Sequence, residues 1–285
     1  METMKANLIP FEYLQDIFGT KSRKTPLSLN YLDASWRTTV SGYTSCNLTK
    51  PEDKLVAISG LARAIQERHP QFNFVAGMLI ESLPNSLRWT AQGGERRKPR
   101  PKAYQAPSWS WASVRNAVGI TPEPHNKGVV CKILGVDVDA GVDPMGQDVA
   151  ATLRIEAYLM TVNVRYNATP GSSRSEFCIN GVWHADFGIA DIVERVRDVD
   201  DEPYNALHCL VIEAGDTFRL HQILDCLLIQ PTGLKKGEFR RFGVYNFWSH
   251  DHRISSLNDI KNARNEEWLE YESVGEEGKY IVSII

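Results

Sequence analysis

The chain has 285 residues, 42% of them hydrophobic and 24% charged, enough to bury a sizeable core without disulfides or metal. Its 32 basic and 35 acidic side chains leave a formal charge of -3, which gives no electrostatic ground for a nucleic-acid or anionic-membrane partner. The five cysteines are scattered and form no C-x-x-C pair, so the reading is reduced thiols in a cytoplasmic protein rather than a zinc site or disulfide framework.

In chain order, the first section, 1–90, reads as helical. No basic leader with an apolar run opens it, and no stretch approaches 18 apolar residues, so neither a signal peptide nor a membrane helix is expected. Short helices are predicted over Pro10 to Phe18 and over Leu29 to Tyr43, the latter anchored by Tyr31, Trp36 and Val40. Leu55, Ile58, Leu61, Ala62 and Ile65 recur at spacings of three and four, which predicts a third helix with one apolar face. Thr49, ahead of Pro51, Glu52 and Asp53, suits the N-cap of that helix. Phe74 to Leu83 is a further apolar run, closed by Pro84 and Asn85.

The second section, 91–285, reads as β-rich. It opens with a linker in which Pro99 and Pro101 interrupt the cations Arg96, Arg97, Lys98, Arg100 and Lys102, a pattern that suits a solvated loop. Ala106 to Ser113 alternates indoles and small polar residues, so it reads as a strand with Trp109 and Trp111 on one face. Further strands are predicted at Val129–Val138, Ala151–Tyr166, Ser175–His184, Leu207–Glu213, Gln222–Gln230, Glu238–Phe247 and Tyr280–Ile285. Asp186 to Pro203 is acid-rich and reads as a loop. The expected fold class is α+β: N-terminal helices packed on an antiparallel β-barrel or β-sandwich, as one integrated domain.

Four segments carry a resemblance. Asp53-Lys54-Leu55 with Ala57 to Ala62, then Phe74 to Met78 with Leu83-Pro84 and Leu87-Arg88-Trp89, then Ala106 to Ser113, then Gly237 to Val244 follow one another in the chain. Their order and spacing resemble the region that follows the signalling module in fungal heterokaryon-incompatibility (HET) proteins. The resemblance spans roughly 30–247. It implies a filamentous-fungal origin and a fold. The chain begins where the signalling module would end, so that module's death-signalling activity is not implied.

The residues themselves leave two functions open. One is a cofactor-free cyclase acting on a small hydrophobic substrate, such as a Diels–Alder or related pericyclic reaction on a terpenoid or polyene of secondary metabolism. An aromatic pocket would hold the substrate folded, and one or two donors would stabilise developing charge. Trp89, Trp109, Trp111 and Tyr158 are the candidate walls, and Tyr104, Ser110, His184, Arg240 and Tyr245 the candidate donors or acid/base groups. His184 gains interest from nearby Asp186, because a carboxylate can orient an imidazole. The other function is a non-catalytic ligand- or partner-binding regulatory module related to heterokaryon incompatibility. Against the pocket stands the simpler role of buried indoles, which is core packing. No cofactor or metal is expected: G-x-G-x-x-G, Walker A and G-x-S-x-G are absent, and His250 with His252 lacks a third ligand. A homo-oligomer is left open.

Overall fold

A computed structural model describes residues 27–46, 50–92, 100–101, 103–120, 127–147, 149–169, 172–179, 182–185, 188–190, 204–216, 222–248 and 268–285. The chain divides into two units. The first comprises Met1–Pro122 with Val138–Ala151, the second Glu123–Asp137 with Thr152–Ile285. The boundary therefore falls beyond residue 90: residues 103–120 belong to the first unit, where the Gln92 amide donates to the Ala117 carbonyl (2.7 Å).

In the first unit, helix α1 spans Leu29–Thr44. The Ser28 hydroxyl accepts from the Tyr31 amide (3.3 Å) and caps its start. Leu32, Trp36 and Val40 recur every four residues and are buried. A short turn at Pro51–Asp53 leads into α2, Lys54–Arg68, which buries Leu55, Ile58, Ala62 and Ile65 on the expected face. Thr49 and the helix expected over Pro10 to Phe18 lie outside the described residues.

The apolar run after α2 is a two-strand hairpin, β1 (Phe74–Val75) against β2 (Met78–Leu79). Its two connecting residues both have positive φ, 51° at Ala76 and 76° at Gly77, as the tight turn favoured in two-residue hairpins demands. Single 3-10 turns follow at Ile80–Ser82 and Asn85–Arg88. Strand β3, Trp89–Ala91, then pairs antiparallel with β4, Val118–Ile120.

The expected strand at Ala106–Ser113 does not form. Ser110 caps a 3-10 turn at Trp111–Ser113 instead, accepting from the Ala112 amide (3.0 Å). A serine oxygen that can reach a backbone amide two residues on offers the chain a turn in place of a ladder.

The second unit is a mixed sheet. Its strands are β5 (Lys127–Val129), β6 (Lys132–Val138), β7 (Ala151–Ala157), β8 (Leu159–Thr169), β9 (Ser172–Ile179), β10 (Val182–Ala185), β11 (Gly188–Ala190), β12 (Tyr204–Asp216), β13 (Gln222–Pro231), β14 (Glu238–Trp248), β15 (Ser273–Val274) and β16 (Tyr280–Ile284). The main path runs β10-β9-β8-β12-β13-β14-β16-β7-β6, with β5 on β12, β11 on β14 and β15 on β16. From β10 to β14 all neighbours are antiparallel. Strand β16 then joins β14 in parallel, pairing Phe239 with Ile284, and runs antiparallel to β7.

The class is thus α+β. The expected closed barrel is not formed by the described strands, because the path is open and ends on β10 and β6. The all-antiparallel expectation fails at β14–β16 for a topological reason. The last strand inserts beside β14 after a long connection rather than a hairpin. The single strand expected over Ala151–Tyr166 breaks at Tyr158 into β7 and β8, which lie apart in the sheet.

One face of the sheet carries a core of Tyr158, Met160, Val162, Leu207, Cys209, Val211, Leu224, Cys226, Leu228 and Tyr245. Register explains the grouping: Cys209 sits opposite Met160 and Leu228, and Cys226 opposite Val211 and Tyr245. The alternate residues His208, Leu210, Asp225, Leu227 and Ile229 are buried as well, so the sheet centre is covered on both faces. Among the described residues, no helix is long and apolar enough to cross a membrane.

Candidate functional site

The largest concentration of aromatic chemistry lies in the first unit. Trp89, Trp109 and Trp111 are 0–1% exposed. Each indole N–H donates to a main-chain carbonyl: Trp89 to Trp109 (2.9 Å), Trp109 to Ala151 (3.3 Å) and Trp111 to Gly77 (2.8 Å). Trp36 on α1 also donates to the Gly77 carbonyl (3.0 Å), so that oxygen serves two indoles. The Ser110 hydroxyl, fully buried, donates to the Ala76 carbonyl (2.6 Å).

The Ala76-Gly77 turn is therefore the centre of the arrangement. Positive φ turns its two carbonyls toward the indoles and the serine. Gly77 is required there on steric grounds too. A Cβ at that position would lie 2.7 Å from the Trp111 ring and 3.0 Å from Leu55. Burial of each indole removes about 200 Å² from water, on the order of 5 kcal/mol before entropy is counted. Satisfied indole donors remove the cost of hiding a polar group.

Lys54, the first residue of α2, is the charged member of this core. Its ammonium donates to the carbonyls of Val114 (2.8 Å) and Asn116 (3.4 Å) and stands 5.3 Å from the centre of a Trp111 ring. Burial pushes its pKa down from 10.5 to about 8. Nearby Tyr43 donates to the Lys54 carbonyl (2.8 Å), and burial raises its phenol to about 12. Sequence reasoning missed Lys54 because a lysine in a charged helix start looks solvated. The one signal for it was its place within the first resembling segment.

The remaining candidates fall in two places. Tyr104, in the first unit, is 53% exposed and donates to the Val149 carbonyl (2.9 Å). In the second unit, Tyr158 and Tyr245 share the sheet core, with the Lys279 ammonium 5.5 Å from the Tyr158 ring centre. Arg240 is exposed on β14. His184 lies in β10 with its backbone opposite Phe177. Asp186, His250, Asp251 and His252 lie outside the described residues, as does the basic run except Arg100, which donates to the Ser113 hydroxyl (3.1 Å). Of the nine candidates, Trp89, Tyr104, Trp109, Ser110 and Trp111 belong to the first unit and Tyr158, His184, Arg240 and Tyr245 to the second.

A second polar group in the first unit was not anticipated. Asp33 and Arg37 face the same side of α1 one turn apart and pair at 3.1 Å. Burial raises the Asp33 pKa, partly offset by Arg37, by the Ser82 hydroxyl and by Arg88. Among the described residues, no cluster of three or more His, Cys, Asp or Glu side chains could hold a metal ion.

Compared with protein-family models, with curated proteins and with solved structures, the chain matches none.

Proposed function

We propose that this chain is a ligand- or partner-binding regulatory module related to heterokaryon incompatibility. The observation that carries the reading is that three of the four resembling segments bind one another. Lys54 of the first reaches the carbonyl of Val114, just past the third. Ala76 and Gly77 of the second accept from Ser110 and Trp111 of the third. Trp89, which ends the second, donates to Trp109 of the third. Residues that meet in one hydrogen-bonded knot have a physical reason to occur together. This supports the resemblance as one of structure rather than of chance matches.

The same geometry bears on the cyclase alternative. A shape-selective pocket needs aromatic faces that a substrate can touch. The three indoles expected to form its walls are spent on packing and on carbonyls. In the cyclase reading Tyr158 and Tyr245 of the second unit would then have to supply the aromatic surface.

The test is a titration of the purified chain with a full-length HET-domain protein from a filamentous fungus, read by calorimetry and gel filtration. A saturable complex is expected. No complex, together with metal-free conversion of a polyene or terpenoid above background, would replace this reading with the cyclase.

A further inference from the structure

We infer that β6, Lys132–Val138, is a docking edge for a second copy of this chain, the two strands pairing antiparallel about Gly135. The inference goes beyond the regulatory reading and does not rest on it.

The main path of the sheet ends on two strands, β10 and β6. β10 has four residues, and a short edge is one way proteins blunt such an end. β6 has seven, and among the described residues no strand pairs with its outer side. That side presents alternating N–H and C=O groups, which another extended backbone meets in full. The side chains are open as well. None of the seven residues of β6 is buried, whereas five of seven are buried in β7 beside it. The centre of the strand, Ile133-Leu134-Gly135-Val136, is uncharged, and Leu134 is 38% exposed. No proline interrupts it.

The sequence of β6 selects its own copy as the partner. In an antiparallel pair, a twofold axis normal to the sheet sets one residue opposite its counterpart. With the axis at Gly135, every residue of β6 is opposed. Leu134 faces Val136, Ile133 faces Asp137 and Lys132 faces Val138 of the second copy. Apolar side chains meet near the axis, and no like charges stand opposite each other. Charge is complementary end to end. The strand starts at Lys132 and closes on Asp137, with Asp139 just beyond. Antiparallel pairing brings the basic end of each copy beside the acidic end of the other, whereas parallel pairing would bring like ends together. Gly135 leaves the approach open, since a Cβ there would meet nothing within 4 Å. One strand pair buries less than a standard interface, so the dimer is weak and concentration-dependent.

Sedimentation of the full chain from about 1 to 500 μM tests the pairing. The mass is expected to rise from 32.1 kDa toward twice that value. L134K puts a gatekeeping charge on the exposed edge and should weaken the dimer by about tenfold or more, with the thermal melt of the dilute chain unchanged. Cross-linking reads the register. In a C46S background, which removes an exposed thiol, G135C should form an intermolecular disulfide under mild oxidation, because opposed residues lie about 4.5–5.5 Å apart. D137C should not, because its counterpart lies about 13 Å further along the strand. A chain that stays monomeric, a dimer undiminished in L134K, or equal cross-linking of G135C and D137C overturns the inference. A monomeric chain whose HET-protein complex is lost in L134K would overturn it too and give the edge to that partner.

Discussion

The two units reach stability by different chemistry. The first closes irregular backbone around indoles, using side-chain donors on main-chain carbonyls that no ladder occupies. The second leaves its backbone to ladder hydrogen bonds and fills a face with aliphatic, tyrosine and sulfur-bearing side chains. Burial also shifts different groups in the two: it lowers the Lys54 ammonium of the first unit to about 8 and raises the Cys131 thiol of the second to about 12. A loop-built core depends on particular donors, and a ladder-built core depends more on register and volume.

The comparison breaks most sharply at Gly77. G77A adds a Cβ against the Trp111 ring at a positive-φ position, so it should cost the first unit about 2–4 kcal/mol. Tryptophan fluorescence in urea reads the loss. Amide exchange in β12 and β13 should stay unchanged, and equal loss in both units would end the distinction drawn here.

Titration tests the contrast next. Lys54 loses its proton near pH 8 when folded and near 10.5 when unfolded. Below about 8 both states are protonated and the cost of burying the charge is felt in full. Between 8 and 10.5 the unfolded chain binds more protons, so the first unit should gain stability as pH rises, by on the order of 1 kcal/mol per pH unit. Cys131 runs the other way. Its ordinary pKa of 9.0 lies below its folded value of about 12, so the second unit should lose stability as pH rises above 9. Exchange protection measured unit by unit between pH 8 and 9.5 should show the first trend before the phenol of Tyr43 opposes it. K54M should flatten it, and a slope surviving K54M would mean another group is responsible.

S110A should cost about 1–2 kcal/mol, because it removes the donor to the Ala76 carbonyl and the acceptor for the Ala112 amide. A thermal melt of the purified variant checks it. At the small end, Leu234 is 80% exposed in the connection between β13 and β14, so L234S should change stability by under about 0.5 kcal/mol. A larger effect would mean that this tip is covered in solution.

Periodicity made the regular parts readable. The spacing of Leu55, Ile58, Leu61, Ala62 and Ile65 named the inner face of α2, on which Leu61 is only half-buried, and alternation located β12, β13 and β14 to within a few residues. It misled at Ala106–Ser113, where alternating Trp and Ser mimic a strand while Ser110 makes a turn. It was silent on β16 joining β14, since a pairing between distant segments leaves no local pattern. The tryptophans were singled out, but their role hung on where the N–H groups point. That is decided by the carbonyls of Ala76 and Gly77, which local sequence does not advertise. Asp33 and Arg37 were readable as a pair by spacing, whereas Arg88 joins them only in three dimensions.

The doubly used carbonyl of Gly77 also predicts an order of events during folding. Its two indole donors lie 41 and 34 residues away along the chain, on opposite sides of the turn. The hairpin itself closes over two residues and can form in about 1–10 μs, before either distant segment arrives. The turn then acts as a template, and docking of Trp36 and Trp111 reports late condensation. A slow change in indole emission that follows fast hairpin formation in a refolding trace would be the kinetic mark of that single oxygen atom.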